Sequence, residues 1–434
     1  MVPPETDLAT TRLSVKTVDA TFDPKALSSG SKDVVSILQK AGHQAFLVGG
    51  CIRDALLDLH PKDFDVATSA PPEDVKPLFR KCRLIGRRFR LAHVFSKGEL
   101  VEVATFRKEA SERLEADFNE KIDESLSQQT AKSGILTSDN VFGSLEEDII
   151  RRDFTINALY YDPQSNTIID GVNGLEDLSA KKIRLIGDPE TRFTEDPVRI
   201  LRALRFAAKL NFEIEEQTEA AIPRFAHLLA EIPPARLFEE LQKLFISSYG
   251  QKCLEQLVKY NVFRYLLPQT SHFLGHETAY KMIQLALENT EKRIKEGKTV
   301  TPSFLLAIFL WAPVRAWQHH LCQKTTPPML ALHRAVQHVV DIQVHSTALP
   351  KRFTGPMQDI FELQERLCRA SRKSALKTLG HRRFRAAFDF LVIRELAGDI
   401  EPGIAKWWLN LQVASPDERK NLLAGLRSGQ SKRK

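Results

Sequence analysis

The chain has 434 residues, of which 43% are hydrophobic and 27% charged, values typical of a globular protein with two to four domains. No run approaches the roughly 20 apolar residues of a membrane-spanning helix, and the first residues lack the apolar segment of a signal peptide. The five cysteines are scattered and never form a Cys-x-x-Cys pair, which argues against structural zinc and disulfides. We therefore expect a cytoplasmic protein without a membrane partner.

The net charge of +7 is unevenly distributed. Residues 351–434 contain 18 basic and 9 acidic residues, whereas the preceding residues contain 44 and 46. A nearly neutral chain with a basic end predicts a polyanionic partner that docks at the C-terminal region.

The first 30 residues are polar and contain three prolines, which predicts a flexible arm over residues 1–30. We expect the first folded domain over residues 31–165. It begins with a short amphipathic helix around Val34, Val35 and Leu38, which Gly42 ends.

The stretch 46–68, FLVGGCIRDALLDLHPKDFDVAT, contains a predicted strand, a glycine pair, a short helix over residues 51–59 and a second strand. Gly49 and Gly50 lack Cβ atoms, so the backbone is able to turn sharply and approach a ligand. The N–H groups that open the following helix, with Arg53 in its first turn, favour an anion. This order of elements predicts a nucleotide-phosphate site.

Asp63 and Asp65 alternate with Phe64 and Val66, so a strand would direct both carboxylates to one face. Two adjacent carboxylates repel each other unless a cation lies between them. Oxygen ligands of this kind suit Mg²⁺, which completes its shell with water and substrate phosphates. The pair therefore predicts a site for two Mg²⁺ ions that act in phosphoryl transfer.

A helix over residues 70–80 and strands over 83–85, 90–95 and 99–106 are predicted next, so helices and strands mix around one small sheet. Glu102 lies in a strand that is otherwise apolar on both sides. Because a buried acid needs a partner, Glu102 is a candidate neighbour of the metal site. The turn GRRFR at residues 86–90 concentrates three arginines.

Residues 108–138 show no apolar period and predict a long mobile loop. The Ser144–Glu147 spacing is that of a capping box and predicts a helix start. This helix leads into RRDFTINALYY, where Arg152, Asp153 and Asn157 are the candidate functional residues.

A third motif, TEDPVRILRALRF, is predicted to form one helix over residues 195–210 with Thr194 as its N-cap. Arg199, Arg202 and Arg205 are three residues apart and have few acidic neighbours. Guanidinium groups pair with phosphate oxygens, so this helix predicts a phosphate-binding face.

The combination of GGCIRD, DFDVAT, RRDFTIN and EDPVR resembles the bacterial poly(A) polymerases and the closely related CCA-adding tRNA nucleotidyltransferases. The segment LIGRRFRLAH resembles the version typical of the poly(A) polymerases. The resemblance implies an α/β nucleotidyltransferase head, with a small mixed sheet and helices, followed by an all-α neck, body and C-terminal region.

The resemblance also implies residue roles. Asp63 and Asp65 would be catalytic and metal-binding, and Asp153 would complete the catalytic carboxylates, with Glu102 as its competitor for that position. Arg152 would contact the triphosphate and Asn157 the nucleotide. Asp196 and Arg199 would read the base edge, and the later residues Arg202 and Arg205 would hold phosphates.

Beyond the head we expect a neck over residues 166–245, a helical body over 246–350 and a basic helical RNA-binding region and tail over 351–434. The expected reaction adds AMP from ATP to RNA 3′ ends with release of pyrophosphate. A CCA-adding enzyme and an inactive RNA-binding protein on the same scaffold are the alternatives. The aromatic residues of the C-terminal region are more often core than a base-stacking surface.

Overall fold

A computed structural model of the chain describes residues 14–86, 90–108 and 142–426. These residues form two compact units. The first contains residues up to 203 together with 211–225, and the second contains 204–210 together with the residues from 226 onward.

The strands of the described residues all belong to the first unit. They are β1 (Lys16–Asp19), β2 (Ala45–Val48), β3 (Asp65–Thr68), β4 (Cys82–Ile85), β5 (Leu91–Ser96), β6 (Glu99–Thr105), β7 (Leu159–Asp162), β8 (Thr167–Asp170), β9 (Lys182–Ile183) and β10 (Glu213–Ile214).

Within the described ranges, the first eight strands form one sheet in the order β1-β8-β7-β2-β3-β6-β5-β4. Only the β3–β6 pair is parallel in this sheet, so the sheet is mixed as predicted. The central strand β2 is buried along its whole length, which its uninterrupted apolar sequence AFLV explains. Strands β9 and β10 pair separately and in parallel.

The helices of the first unit are short. They are α1 (Ser29–Lys40), α2 (Gly50–Leu56), α3 (Pro72–Leu78), α4 (Leu145–Ile150), α5 (Gly174–Ser179), α6 (Pro189–Glu195), the first half of α7 (Val198–Leu210) and α8 (Glu216–Phe225). The Ser28 side chain caps α1, and the predicted capping box of Ser144 and Glu147 opens α4.

The two faces of the sheet are covered differently. Helices α1 and α3 pack on one face, over β2 to β6. On the other face, Leu145 and Ile149 of α4 pack against Phe46, Tyr160 and their neighbours in β2, β3 and β7. Because successive side chains of a strand alternate between the faces, the α4 face is the one to which Asp65 belongs.

The elements and compact units of the structure divide the chain differently from the predicted boundaries at three places. Residues 16–19, expected in a flexible arm, form the edge strand β1 and pair with β8. The expected neck is divided, because residues 166–203 and 211–225 belong to the first unit, whereas 204–210 and 226–245 belong to the second. Strand β8 lies beyond the predicted end of the head at residue 165 but belongs to the same sheet, where it pairs with β1 and β7.

In its described residues, the second unit contains helices and connecting loops but no strand. After the end of α7, its α-helices are α9 (Pro234–Phe245), α10 (Gly250–Lys259), α11 (Phe263–Leu266), α12 (Pro268–Ser271), α13 (Glu277–Lys295), α14 (Pro302–Phe309), α15 (Trp311–Gln323), α16 (Pro328–Ser346), α17 (Lys351–Cys368), α18 (Arg372–Leu379), α19 (Phe384–Leu396), α20 (Ile404–Val413) and α21 (Pro416–Ala424).

The core of the second unit is rich in aromatic side chains. Trp311 packs against Phe361 and Phe390, and Trp408 packs against Phe384. These contacts confirm the prediction that aromatic residues of the basic C-terminal region belong to helix core. No helix in the described ranges is long and apolar enough to cross a membrane.

Candidate active site

The site is built where β3 begins. Asp65 is the first residue of β3, and Glu102 is its partner on the parallel neighbour β6. Asp63 lies two residues before the strand, so the strand is shorter than predicted and Asp63 belongs to the connection that leads into it. Asp63, Asp65 and Glu102 are exposed as residues, but surrounding protein partly desolvates the Asp65 carboxyl group, and the charges of Glu102 and Asp63 act on it.

The electrostatics of Asp65 show crowding of negative charge. Partial burial, then the Glu102 carboxylate and, more weakly, Asp63 raise the pKa of Asp65 to about 6, although the Arg152 guanidinium opposes the shift. Carboxylates close enough to shift one another's pKa favour the binding of a cation between them. The carboxylate oxygens are the donors that Mg²⁺ prefers, so the residues fit this metal.

Within the described residues, no three His, Cys, Asp or Glu side chains are grouped so that they could bind one metal ion together. An ion held by Asp63 and Asp65 would therefore take the rest of its shell from water and from substrate phosphates. This arrangement is usual for Mg²⁺ in nucleotide enzymes.

Gly49 precedes α2 with a φ of +80°, a conformation that residues with a Cβ rarely adopt. A Cβ at this position would lie 3.6 Å from Nη1 of Arg152 and 3.6 Å from the carbonyl oxygen of Asn157. The glycine turn thus lies next to the second motif. Helix α2 has only seven residues, so its dipole is a minor contribution.

The guanidinium group of Arg152 is held in place by Tyr160 and Asp148, two residues that were not among the predicted site residues. Its Nε donates to the Tyr160 hydroxyl at 2.6 Å and its Nη2 to Asp148 at 3.1 Å, while Tyr160 also donates to Asp148 at 2.5 Å. Burial raises the pKa of Asp148, but Arg152 and Arg151 outweigh it and hold that pKa below its ordinary value. The ionised Asp148, 1% exposed, therefore keeps Arg152 charged and oriented.

A chain of hydrogen bonds joins the three sequence motifs. Arg53 donates from Nη1 to Oδ1 of Asn157 at 2.5 Å, and Asn157 donates to Oδ1 of Asp153 at 3.2 Å. Arg202 donates from Nε to Oδ2 of Asp153 at 2.7 Å. Burial raises the pKa of Asp153, but the Arg202 guanidinium and the hydrogen bonds reverse the effect, so the pKa lies below its ordinary value.

These contacts separate the two candidates for the third carboxylate. Glu102 lies beside Asp65 across the sheet and shifts its pKa, whereas Asp153 is occupied by Arg202, Asn157 and the backbone N–H of Phe154. Glu102 in turn contacts His93 at 3.4 Å, and the catalytic roles of both Glu102 and Asp153 stay predictions.

The third motif differs from the single helix that the sequence predicted. Thr194 lies inside α6 and is not an N-cap, and the chain is extended at Asp196 before α7 begins at Val198. The residue before a proline disfavours helical backbone, and Asp196 precedes Pro197. Asp196 accepts from the N–H of Val198 at 3.2 Å.

The arginines of α7 do not share one environment. Arg199 donates to Glu195 at 2.8 Å and to the carbonyl oxygen of Arg192 at 2.7 Å, and Arg202 binds Asp153. Arg205 belongs to the second unit. Its guanidinium group lies over the ring of Phe206, and its charge acts to lower the pKa of the Cys253 thiol, although burial raises that pKa overall. The predicted phosphate-binding roles of Arg202 and Arg205 are therefore untested by these contacts.

Two predicted segments lie outside the described residues. The arginine-rich turn is described only at Gly86 and Arg90, and the loop predicted over 108–138 is described only at Lys108.

Comparison with known proteins decides the family. The sequence model of the "Poly A polymerase head domain" matches residues 45–184, that of the "Probable RNA and SrmB- binding site of polymerase A" matches 211–274, and that of the "Polymerase A arginine-rich C-terminus" matches 324–434. Poly(A) polymerase I of Salmonella typhi is 44% identical over 405 residues, which cover 92% of this chain and 85% of that protein. The chain belongs to the bacterial poly(A) polymerase family.

The related CCA-adding enzymes are more distant from this chain than the poly(A) polymerases. The CCA-adding enzyme of Streptococcus mutans is 36% identical over 311 residues, 66% of this chain and 73% of that protein. The structure of the Thermotoga maritima CCA-adding enzyme complexed with tRNA matches with a TM-score of 0.58 and 20% identity, over 95% of this chain and 91% of that one. This likeness confirms the predicted fold class.

Proposed function

We propose that this member of the poly(A) polymerase family uses the carboxylates of Asp63 and Asp65 to transfer AMP from ATP to the 3′ hydroxyl of RNA. The observation that carries the proposal is the crowding of Asp63, Asp65 and Glu102 beside Arg152, a cation already fixed by Asp148 and Tyr160. Carboxylates that repel each other beside an oriented guanidinium suit a metal–triphosphate ligand.

The chemistry is an in-line displacement. The RNA 3′ oxygen forms a bond to the α-phosphorus of ATP, the bond from that phosphorus to the β-bridging oxygen breaks, pyrophosphate leaves and the hydroxyl proton passes to water. Two Mg²⁺ ions held by Asp63 and Asp65 would supply Lewis-acid stabilisation of the attacking and leaving oxygens.

The protein's own residues would position the reactants. Arg152 would pair with triphosphate oxygens, because Asp148 and Tyr160 hold its inner edge while Nη1 lies near Gly49. Asp196 lies in the extended segment between α6 and α7, and Arg199 lies in the first turn of α7. These two side chains would contact the base of the incoming nucleotide, as the family resemblance implies. RNA would also contact the basic C-terminal helices.

Nucleotide choice tests the proposal. The purified protein is incubated with a short RNA primer, Mg²⁺ and each nucleoside triphosphate separately, and the products are resolved at single-nucleotide length. We expect a long ladder with ATP and little extension with CTP, GTP or UTP. Addition confined to C, C and A on a tRNA acceptor end would instead assign CCA addition, and no addition with any nucleotide would support the inactive RNA-binding alternative.

A further inference from the structure

The sheet face that carries the carboxylates continues beyond them to the edge strand β4. Over β2, β3 and β7 this face is covered by α4. Over β5 and β6 it keeps large exposed side chains, because Phe95 is 46% and Leu100 is 56% exposed. Exposed apolar residues beside a catalytic centre suggest a surface that a ligand covers.

Strand register defines the residues of this surface. The central row runs from Asp65 on β3 to Glu102 on β6, His93 on β5 and Arg83 on β4. Strands lie about 4.8 Å apart, so the row extends about 14 Å from Asp65. It changes from acidic at the carboxylates to basic at the sheet edge, and His93 contacts Glu102 at 3.4 Å.

The row next to it combines aromatic, apolar and basic side chains. Phe95 is paired with Leu100 across β5 and β6, and its N–H donates to the carbonyl oxygen of Lys81 at 2.9 Å. The Lys81 ammonium lies 5.3 Å from the centroid of the Phe95 ring. We define the outer sheet surface as Lys81, Arg83, His93, Phe95 and Leu100.

We propose that the outer sheet surface binds the last few nucleotides of the RNA substrate, with a base stacked on Phe95 and phosphates near Lys81 and Arg83. An aromatic ring beside cations is the arrangement that holds single-stranded nucleic acid without reading its sequence. A length of about 14 Å accommodates at most about four nucleotides, the number that fits at the roughly 3.4 Å rise of a fully stacked strand.

Continuity with the catalytic carboxylates identifies RNA as the occupant. The 3′ hydroxyl has to reach Asp65, so the nucleotides that precede it must leave across a neighbouring surface. The outer sheet surface begins at His93, next to Glu102 and Asp65 in the same row, carries the positive charge that a phosphate backbone requires and lies in the head. The sequence model of the family's probable RNA-binding site matches residues 211–274 and that of its arginine-rich C-terminus matches 324–434, so neither includes this surface.

The test, which rests on the proposed function, measures primer extension by the full chain with Phe95→Ala. An oligo(A) primer is titrated at saturating ATP, and ATP is titrated at saturating primer. We expect the KM for primer to rise about tenfold, because stacking one base on an aromatic ring strengthens binding by roughly five- to a hundredfold. The KM for ATP and kcat at saturating primer should stay within twofold of wild type.

Val18→Ala is the matched control. Val18 is an exposed apolar residue, 38% accessible, on β1 at the opposite edge of the same sheet, and its replacement should leave every parameter unchanged. Arg83→Glu should also raise the primer KM, and the increase should shrink at high salt because phosphate contacts are screened.

The outcomes are distinguishable from failure of the proposed function. If wild type extends no primer with ATP, the proposed function fails. If wild type extends primer and Phe95→Ala keeps a normal primer KM, the RNA surface is refuted. A lower melting temperature with unchanged primer KM would also refute it, because the ring would then pack against protein.

Discussion

At the scale of single residues, Asp65 carries an electrostatic penalty in the absence of metal. Its pKa of about 6 in the folded protein lies above the ordinary 3.8, so the folded state binds the proton more tightly than the unfolded state. Stability contributed by this proton is present below pH 4 and is lost as the pH rises to about 6. Above that pH the penalty is constant.

Asp65→Asn should therefore raise the melting temperature of the metal-free protein at pH 7.5, and the gain should vanish near pH 4. Differential scanning fluorimetry across this range measures it. Added Mg²⁺ should stabilise wild type more than the variant, because the metal relieves the same repulsion. If the variant melts at the wild-type temperature at pH 7.5, the ionised Asp65 carboxylate does not destabilise the folded protein.

A comparison of two variants distinguishes Glu102 from Asp153 as the third catalytic carboxylate. Glu102→Gln should lower kcat by at least about a hundredfold with little change in melting temperature, because Glu102 faces the site and its side chain is 51% exposed. Asp153→Asn should lower the melting temperature by several degrees, because it weakens a partly buried pair with Arg202.

Glu99→Gln is the matched control for Glu102→Gln. Glu99 is on the same strand but on the opposite face, where it accepts from the N–H of Gly30 at 3.3 Å. Its replacement should leave kcat intact. Equal losses of kcat in the Glu99 and Glu102 variants would refute a special role for Glu102.

At the scale of elements, sequence patterns located most strands and helices but missed their ends. The alternation of Asp63, Phe64, Asp65 and Val66 suggested a strand through both aspartates, yet pairing starts at Asp65. Strand β1 was missed because all four of its residues are exposed, which leaves no buried face for periodicity to reveal. The interruption between α6 and α7 was signalled by Pro197, which was interpreted as a first-turn proline.

The contacts within the site depended on tertiary structure. The residue types of Asp65, Arg152 and Asn157 were evident from sequence, but the pairing of Asp153 with Arg202 spans 49 positions and no local period encodes it. The Asp148–Arg152 spacing of four residues was the available signal for the support behind Arg152, since residues four apart meet on a helix.

Helix α18 is the clearest candidate for an RNA-phosphate contact in the C-terminal region. Its sequence RKSALKTL has no acidic residue, and Arg372, Lys373 and Lys377 are exposed. Replacing all three with Gln should weaken binding of single-stranded RNA and reduce the slope of log affinity against log salt by about 2, since each phosphate contact contributes about 0.7.

The comparison variant replaces Lys351 and Arg352 at the start of α17 with Gln. These are exposed basic residues on a different helix of the same unit. Fluorescence anisotropy with an oligo(A) probe at several salt concentrations measures both variants. An unchanged slope in the α18 variant would remove that helix from the RNA-binding surface.

At the scale of the whole molecule, the basic C-terminal region is part of the fold of the second unit. Helices α17 and α19 pack on α14, and Phe361 and Phe390 contact Trp311. Truncation after residue 350 would therefore expose buried aromatic surface, so charge substitutions on the surface are the sound way to test RNA binding there.

The central claim is that Asp63 and Asp65 carry out adenylyl transfer. Its most direct test is the rate of AMP incorporation into an RNA primer by Asp63→Asn and Asp65→Asn at saturating ATP, primer and Mg²⁺. Asp74→Asn, at an exposed aspartate of α3, is the control. We predict a fall of about a thousandfold or more in both site variants, with native circular dichroism and unchanged RNA affinity. Near-wild-type incorporation by either site variant would contradict the account.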